Sequence, residues 1–261
     1  MLLRANCIRD RQCGSCDFES ECIVRRTIYS RFDEKPDFVT SGDSVGYVLE
    51  CEDYGEDFYE GDLLEFHLIL FGKTIVYFSQ FLQAVYQLGM AGIGKARAKY
   101  VMASVRNTTG KDMLRGSEIL MERYEVKTLW DYVTYRQRSF VGRALPDRIC
   151  FRTPTTLKYR GKIQQMFSLE AILPALCRRI HMLDCFEGLE CEIPKVRTES
   201  SEQIAVYRYS STQNQKMPLR GIRGGMQLEK IPDDLILLLL AGEVTHIGKN
   251  TSFGFGRYRL F

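Results

Sequence analysis

The sequence predicts an α+β fold, and three observations carry that expectation. Residues 146–261 run strand, helix, strand, strand, helix, strand. Residues 44–105 repeat the later part of that order. Within both stretches the apolar spacing switches between a period of two and a period near 3.6.

In the C-terminal half, Ile149–Phe151 is a short apolar run behind Pro146, the signature of a buried strand. Between Phe167 and Met182, Leu169, Ile172, Leu173, Leu176 and Ile180 recur at helical spacing, with Ser168 in N-cap position. Ile204–Tyr209 alternates as a strand. Leu219–Leu228 is its hairpin partner, although Gly221, Gly224 and Gly225 thin the interior. Ile231–Ala241 opens on Pro232 and closes at Gly242, as helices do. Thr251–Phe261 ends the chain as a glycine-punctuated strand. This order is the ferredoxin-like (RRM-like) arrangement, four antiparallel strands with two helices on one face, which RNA-binding modules use repeatedly.

In the first half, Ser44–Cys51 and Leu63–Phe71 are expected to pair, Thr74–Leu88 to form a helix and Lys99–Val105 to return as a strand. The opening strand and helix of that unit are not visible. The expectation is tandem ferredoxin-like domains, the N-terminal one lacking its first strand and helix. Residues 1–35 form a cysteine-rich metal-binding segment, 36–140 the partial domain, and 146–261 the complete domain with a glycine-rich loop.

A chain of 261 residues that is 45% hydrophobic and 26% charged has the makings of a packed core, which excludes a disordered protein. A formal charge of +3 does not announce a polyanion partner, but its distribution does more. Arg148, Arg152, Lys158, Arg160 and Lys162 cluster behind the single acid Asp147, whereas acids concentrate between Asp43 and Glu65. No apolar run approaches the roughly 18 residues a membrane span needs. Met1–Asn6 has no room for a signal-peptide core, so a cytoplasmic location with reduced thiols is expected.

Cys7, Cys13, Cys16 and Cys22 follow the spacing C-x5-C-x2-C-x5-C. Two adjacent thiolates chelate one ion and the outer pair complete a tetrahedron, so structural zinc is expected, with a four-iron cluster as the alternative. Cys51, Cys150, Cys177, Cys185 and Cys191 lack such spacing.

The sharpest local signal is the run from His246 through Gly248, Lys249, Gly254, Gly256 and Arg257 to Tyr258, in which Phe253, Phe255 and Tyr258 supply aromatics. Glycines let a backbone pass close to a phosphate with its amides exposed, and Lys249 and Arg257 add charge. The competing reading is a tight helix-to-strand turn. Upstream stand Phe151-Arg152-Thr153-Pro154-Thr155-Thr156-Leu157-Lys158, Gly161-Lys162, Tyr207-Arg208-Tyr209-Ser210, Lys216-Met217 and Leu219-Arg220-Gly221. Together these segments resemble the CRISPR-associated endoribonucleases of the repeat-associated mysterious protein superfamily. The likeness covers residues 146–261 and thins through Leu70-Phe71-Gly72 and Gly89–Lys95.

The resemblance implies an RNA-processing enzyme that binds CRISPR repeat RNA through its C-terminal loop and cuts without a metal. The 2′-hydroxyl attacks the adjacent phosphate and leaves a 2′,3′-cyclic phosphate and a 5′-hydroxyl. It also implies possible assembly with other CRISPR proteins, or a homodimer. The family's N-terminal catalytic histidine has no visible counterpart here. Of the three histidines, His67 on an alternating strand and His181 at a helix end have sufficient structural explanations. His246 is the candidate acid or base, against the reading that it caps the preceding helix. Tyr209 and Ser210 are further catalytic candidates. Gly248, Lys249, Gly254, Gly256, Arg257, Arg208, Lys216, Lys158 and Lys162 are candidate RNA contacts, since phosphate contacts need charge and little geometry. Two rival readings are a catalytically inactive RNA-binding subunit of an effector complex and a zinc-dependent nucleic-acid-binding regulator working through residues 1–30.

Overall fold

In the computed structural model the described residues are 7, 13–28, 46–51, 57–94, 96–183, 196–210, 215–229 and 231–261. In chain order the first half contains α1 (Ile23–Thr27), β1 (Tyr47–Cys51), β2 (Phe66–Leu70), α2 (Phe78–Ala91), β3 (Leu114–Arg115) and β4 (Glu118–Ile119). The second half contains α3 (Leu129–Arg138), β5 (Arg148–Thr155), β6 (Lys158–Tyr159), β7 (Lys162–Ile163) and α4 (Leu169–Met182). It continues through β8 (Val196–Ser210), β9 (Gln215–Leu228), α5 (Asp233–Thr245) and β10 (Tyr258–Leu260). Two compact units result: Met1–Ile28 with Lys73–Thr128, and Tyr29–Gly72 with Leu129–Phe261.

In the second unit β10, β5, β9 and β8 pair in that order, every pair antiparallel. With α4 between β5 and β8 and α5 between β9 and β10, this is the expected ferredoxin-like topology. Along β5, Ile149, Phe151, Thr153 and Thr155 are buried while Arg148 and Arg152 are exposed. The buried row meets Met226, Leu228, Tyr258 and Leu260 of the sheet and Leu169, Ile172, Leu176, Leu235 and Leu239 of the helices. Each large apolar side chain fully buried there contributes about 1.5–3 kcal/mol. The exposed row of β5 faces away from both helices.

Strands β8 and β9 pair from Val196↔Leu228 to Ser210↔Gln215, with one register shift between Thr198 and Ser200, but β5 stops pairing at Thr155↔Ile222. Residues 204–210 and 215–221 therefore continue as a two-stranded ribbon, about 20 Å long at 3.3 Å per residue. Gly221 lies where β5 kinks: a Cβ there would come within 2.8 Å of the Thr155 amide.

Several expectations shift. Helix α5 runs past Gly242 to Thr245. The glycine is required because the Tyr258 ring crosses the helix there and donates its hydroxyl hydrogen to the Leu239 carbonyl at 2.6 Å. The expected strand over Thr251–Phe261 is a single 3-10 turn, Thr251–Phe253, and then the short β10. Asn250 (φ 64°), Gly254 (φ 79°) and Gly256 (φ 77°) are left-handed and break the extended path. Residues 99–105 form no strand, because Tyr100 is drawn onto α2, bonding the Val85 carbonyl at 2.6 Å, and leaves Val101 88% exposed with no edge to join.

The expected strand pair is present as β1–β2, from Tyr47↔Leu70 to Cys51↔Phe66. It groups with the C-terminal unit, as does α3, so the compact units do not follow the expected boundary at 135–146. The first unit holds α2, the β3–β4 pair and a small core of Val24, Phe81, Ala84, Met113 and Leu120. Within it Tyr124 stacks on Phe78 at 4.5 Å. Among the described residues no helix is long and apolar enough to cross a membrane.

Candidate nucleic-acid interface

A cleft of about 600 Å³ in the second unit lies between the β1–β2 pair and the β10 side of the sheet. Its walls carry Arg152 from β5, Arg223 from β9, and Arg257 and Arg259 at β10, together with Tyr132 and Phe261. The Arg152 guanidinium sits 5.4 Å from the Phe261 ring centroid, a cation–π distance.

Two carboxylates fix this basic wall. Glu243, with a side chain 1% exposed, accepts from Arg136 Nε at 2.7 Å and Nη2 at 3.0 Å, from the Tyr132 hydroxyl at 2.8 Å and from the Leu260 amide at 2.7 Å. Arg259 approaches it at 3.4 Å. A buried carboxylate that accepts from that many donors holds Tyr132 and Arg259 at the cleft. Burial, then the Glu243 charge and hydrogen bond, push the Tyr132 phenol well above its usual range, so it is a donor at every working pH.

Glu50 is the second. Its Oε1 lies 2.7 Å from His246 Nε2, and its Oε2 lies 3.5 Å from Arg257. His246 Nδ1 faces the Phe255 carbonyl at 2.9 Å. A carbonyl only accepts, so Nδ1 carries a hydrogen. Burial raises the Glu50 carboxyl, but the His246 hydrogen bond and the charges of His246 and Arg257 outweigh it and hold the group below the usual carboxylate value.

This geometry corrects the role expected for His246. Its side chain is 0% exposed with both ring nitrogens engaged, so it reaches no phosphodiester; it is a strut between β1 and the C-terminal loop. Its φ of 58° at the end of α5, rare for a residue with a Cβ, is maintained by those two bonds.

The loop glycines are corrected likewise. A Cβ on Gly248 would overlap the Thr156 carbonyl, one on Gly256 would overlap the Ile247 carbonyl, and one on Gly254 would sit 2.7 Å from the Leu49 carbonyl. The Gly254 amide donates to Thr251 and the Gly256 amide to Pro154. These glycines serve close approach of protein backbone, and the amides of Gly254 and Gly256 are not offered to a phosphate. Of the loop aromatics, Phe255 and Tyr258 are core and Phe253 is 48% exposed.

Part of the expected cation set does converge. The Thr156 carbonyl accepts from the Lys249 amide at 2.9 Å, and the Thr156 hydroxyl donates to the Arg220 carbonyl. Lys158, two residues on, and Lys162 on the paired β7 are exposed beside them, as is Lys249. Arg208, Tyr209, Ser210 and Lys216 lie apart from this cluster, at the far end of the β8–β9 ribbon, where Tyr209 pairs with Lys216.

The cysteine segment folds as chained turns, Cys16 amide to Cys13 carbonyl at 3.1 Å and Glu19 amide to Cys16 carbonyl at 3.0 Å. Among the described residues, which include Cys7, Cys13, Cys16 and Cys22, no three His, Cys, Asp or Glu gather closely enough to hold a metal ion. As placed, the thiols do not fit a tetrathiolate site. Cys185 and Cys191 lie outside the described residues.

Sequence reasoning missed Glu243, Arg136, Tyr132, Arg223, Arg259 and Glu50. One signal was available: Glu243 is a lone acid following the apolar run Leu235–Ala241, where an unpaired charge would be costly.

Comparison with known proteins agrees with this architecture. The family model of the CRISPR-associated endoribonuclease Cas6 matches residues 149–258, and that of an N-terminal domain family, AF_1859_N, matches residues 1–130. Among solved structures, a Thermus thermophilus Cas6 (TTHB231) product complex aligns with a TM-score of 0.50 and 12% identity, over 92% of this chain and 89% of that one. A partial Cas6-RT-Cas1–Cas2 complex aligns with a TM-score of 0.50 and 12% identity, over 83% of this chain and 39% of that one. A Cas6 (TTHA0078) product complex is 15% identical over 92% of this chain and 88% of that one, with a TM-score of 0.47. Identities this low speak of fold alone. Among curated proteins none matches. The C-terminal part of the chain, residues 149–258, thus matches the family model of the CRISPR-associated endoribonuclease Cas6, on a fold shared with a solved Cas6 structure.

Proposed function

We propose that this protein binds CRISPR repeat RNA along the arginine-lined cleft and the Thr156 cation cluster, and cuts the precursor transcript once per repeat without a metal. The 2′-hydroxyl oxygen attacks the neighbouring phosphorus, the bond to the 5′-oxygen breaks, and the products carry a 2′,3′-cyclic phosphate and a 5′-hydroxyl. One observation carries this reading above the others: four arginines from three strands and the C-terminal loop converge on one cleft, two of them pinned by the buried carboxylates Glu50 and Glu243. Arginines held in place cost little reorganisation when charge develops on a phosphorane. Lys158, Lys162 and Lys249 extend the basic track, and the ribbon residues Arg208, Tyr209, Ser210 and Lys216 reach toward a stem.

The family and the Cas6-RT-Cas1–Cas2 likeness support assembly with other CRISPR proteins, and the composition suits work in the cytoplasm. The spacing of Cys7, Cys13, Cys16 and Cys22 supports structural zinc, for which this segment would have to close further; no catalytic step depends on it.

The test is incubation of purified protein with repeat RNA in EDTA. Cleavage at one site with a 5′-hydroxyl product supports the reading. RNA bound but intact, or cleaved only after metal is added, overturns it.

A further inference from the structure

Strand β2 presents His67, which the sequence places on an alternating strand. In the β1–β2 pairing Glu50 stands opposite His67 and Val48 opposite Ile69. Directly opposed residues of an antiparallel pair share a face. Glu50 and Ile69 line the arginine cleft, so His67 stands on the cleft-lining face, roughly 7 Å along β2 from Ile69. Its side chain is 59% exposed.

Neither other histidine can serve. His246 is sealed between Glu50 and Phe255. His181 is exposed in the last turn of α4, two residues past Arg179, whose Nε bonds the Thr245 carbonyl. Two residues turn a helix by about 200°, which points His181 away from that bond and from the cleft. The groups facing His67 are Glu65, whose Oε1 lies 3.8 Å from Nε2, and Glu50 across the strand pair, itself engaged with His246 and Arg257. The ring thus has two carboxylates for neighbours and is exposed beside the cleft.

We propose that His67 is the general acid of the cleavage reaction, an inference that rests on the reading that this chain cuts RNA. As the 2′-oxygen forms its bond to phosphorus, the 2′-hydroxyl proton passes to water. As the bond from phosphorus to the 5′-oxygen breaks, the imidazolium of His67 gives its proton to that oxygen and then recovers one from solvent.

The test compares wild type, His67→Ala and His67→Gln on two repeat RNAs, one natural and one with sulfur replacing the 5′-bridging oxygen at the cleavage site. A thiolate leaves without a proton donor. The expected result is a loss of about 10²–10⁴-fold in both variants on natural RNA, with near-wild-type rates on the sulfur substrate. Variants that cut natural RNA within threefold of wild type, or that lose equally on both substrates, overturn the proposal. A wild type inert toward both substrates removes the functional reading itself, and this inference with it.

Discussion

Glu50 Oε1 lies 2.7 Å from His246 Nε2, a bond between residues 196 positions apart that fastens β1 to the loop following α5. The two side chains are 7% and 0% exposed, and Arg257 approaches the second carboxylate oxygen. The chain's most chemically suggestive histidine is therefore spent on holding the arginine cleft in shape.

Removing either partner strands a buried polar group. His246→Ala and Glu50→Ala should each destabilise the protein by roughly 3–5 kcal/mol. Denaturant unfolding measures this directly. A loss under about 1 kcal/mol in both variants would show the pair to be incidental.

The same link sets an acid limit. Glu50 is held below its ordinary value of 4.5, so its stabilisation is fully present above that pH and is lost as pH falls through the lower folded value. Thermal melting from pH 6 to pH 3 should show stability dropping below about pH 4.5 in the wild type, with a shallower fall in Glu50→Gln. Parallel curves for the two proteins would contradict this.

Arg152 and Arg223 occupy the cleft from neighbouring strands. Each change to alanine should weaken RNA binding and lower the slope of log affinity against log salt by roughly 0.7, the single-strand value per phosphate contact. Binding titrations across a salt series read the slope, and an unchanged slope in both variants would place the RNA elsewhere.

How much of this was legible in the sequence follows from which forces act locally. The short apolar run of β5 and the apolar stripe of α4 are local patterns, and both elements stand near their expected places. Gly254 and Gly256 were legible as requirements for close approach, but not what approaches: the Leu49 and Ile247 carbonyls occupy the space assigned to a phosphate. The cleft itself was not legible. It joins Glu50 to Arg257 and Tyr132 to Glu243, pairs made by tertiary packing alone. The return strand at 99–105 failed because alternation predicts a strand only where an edge exists to receive it.

The cysteine spacing makes its own prediction. For a segment that closes around a metal, the expected result is about one zinc per chain in protein purified without chelator, lost in the double variant Cys13→Ser, Cys16→Ser. Elemental analysis settles zinc, and an absorbance band near 400 nm would indicate an iron–sulfur cluster instead. Metal-free protein with unchanged melting would leave the four residues as ordinary thiols.

The position of the RNA on the protein is the decisive observable. Photocrosslinking of 4-thiouridine-substituted repeat RNA, followed by peptide mapping, reads this without requiring turnover. Crosslinks at Tyr132 or Phe261 of the cleft and in the segment from Thr156 to Lys162 are the predicted result. Crosslinks confined to the outer surfaces of α4 and α5, with the cleft unlabelled, would contradict it.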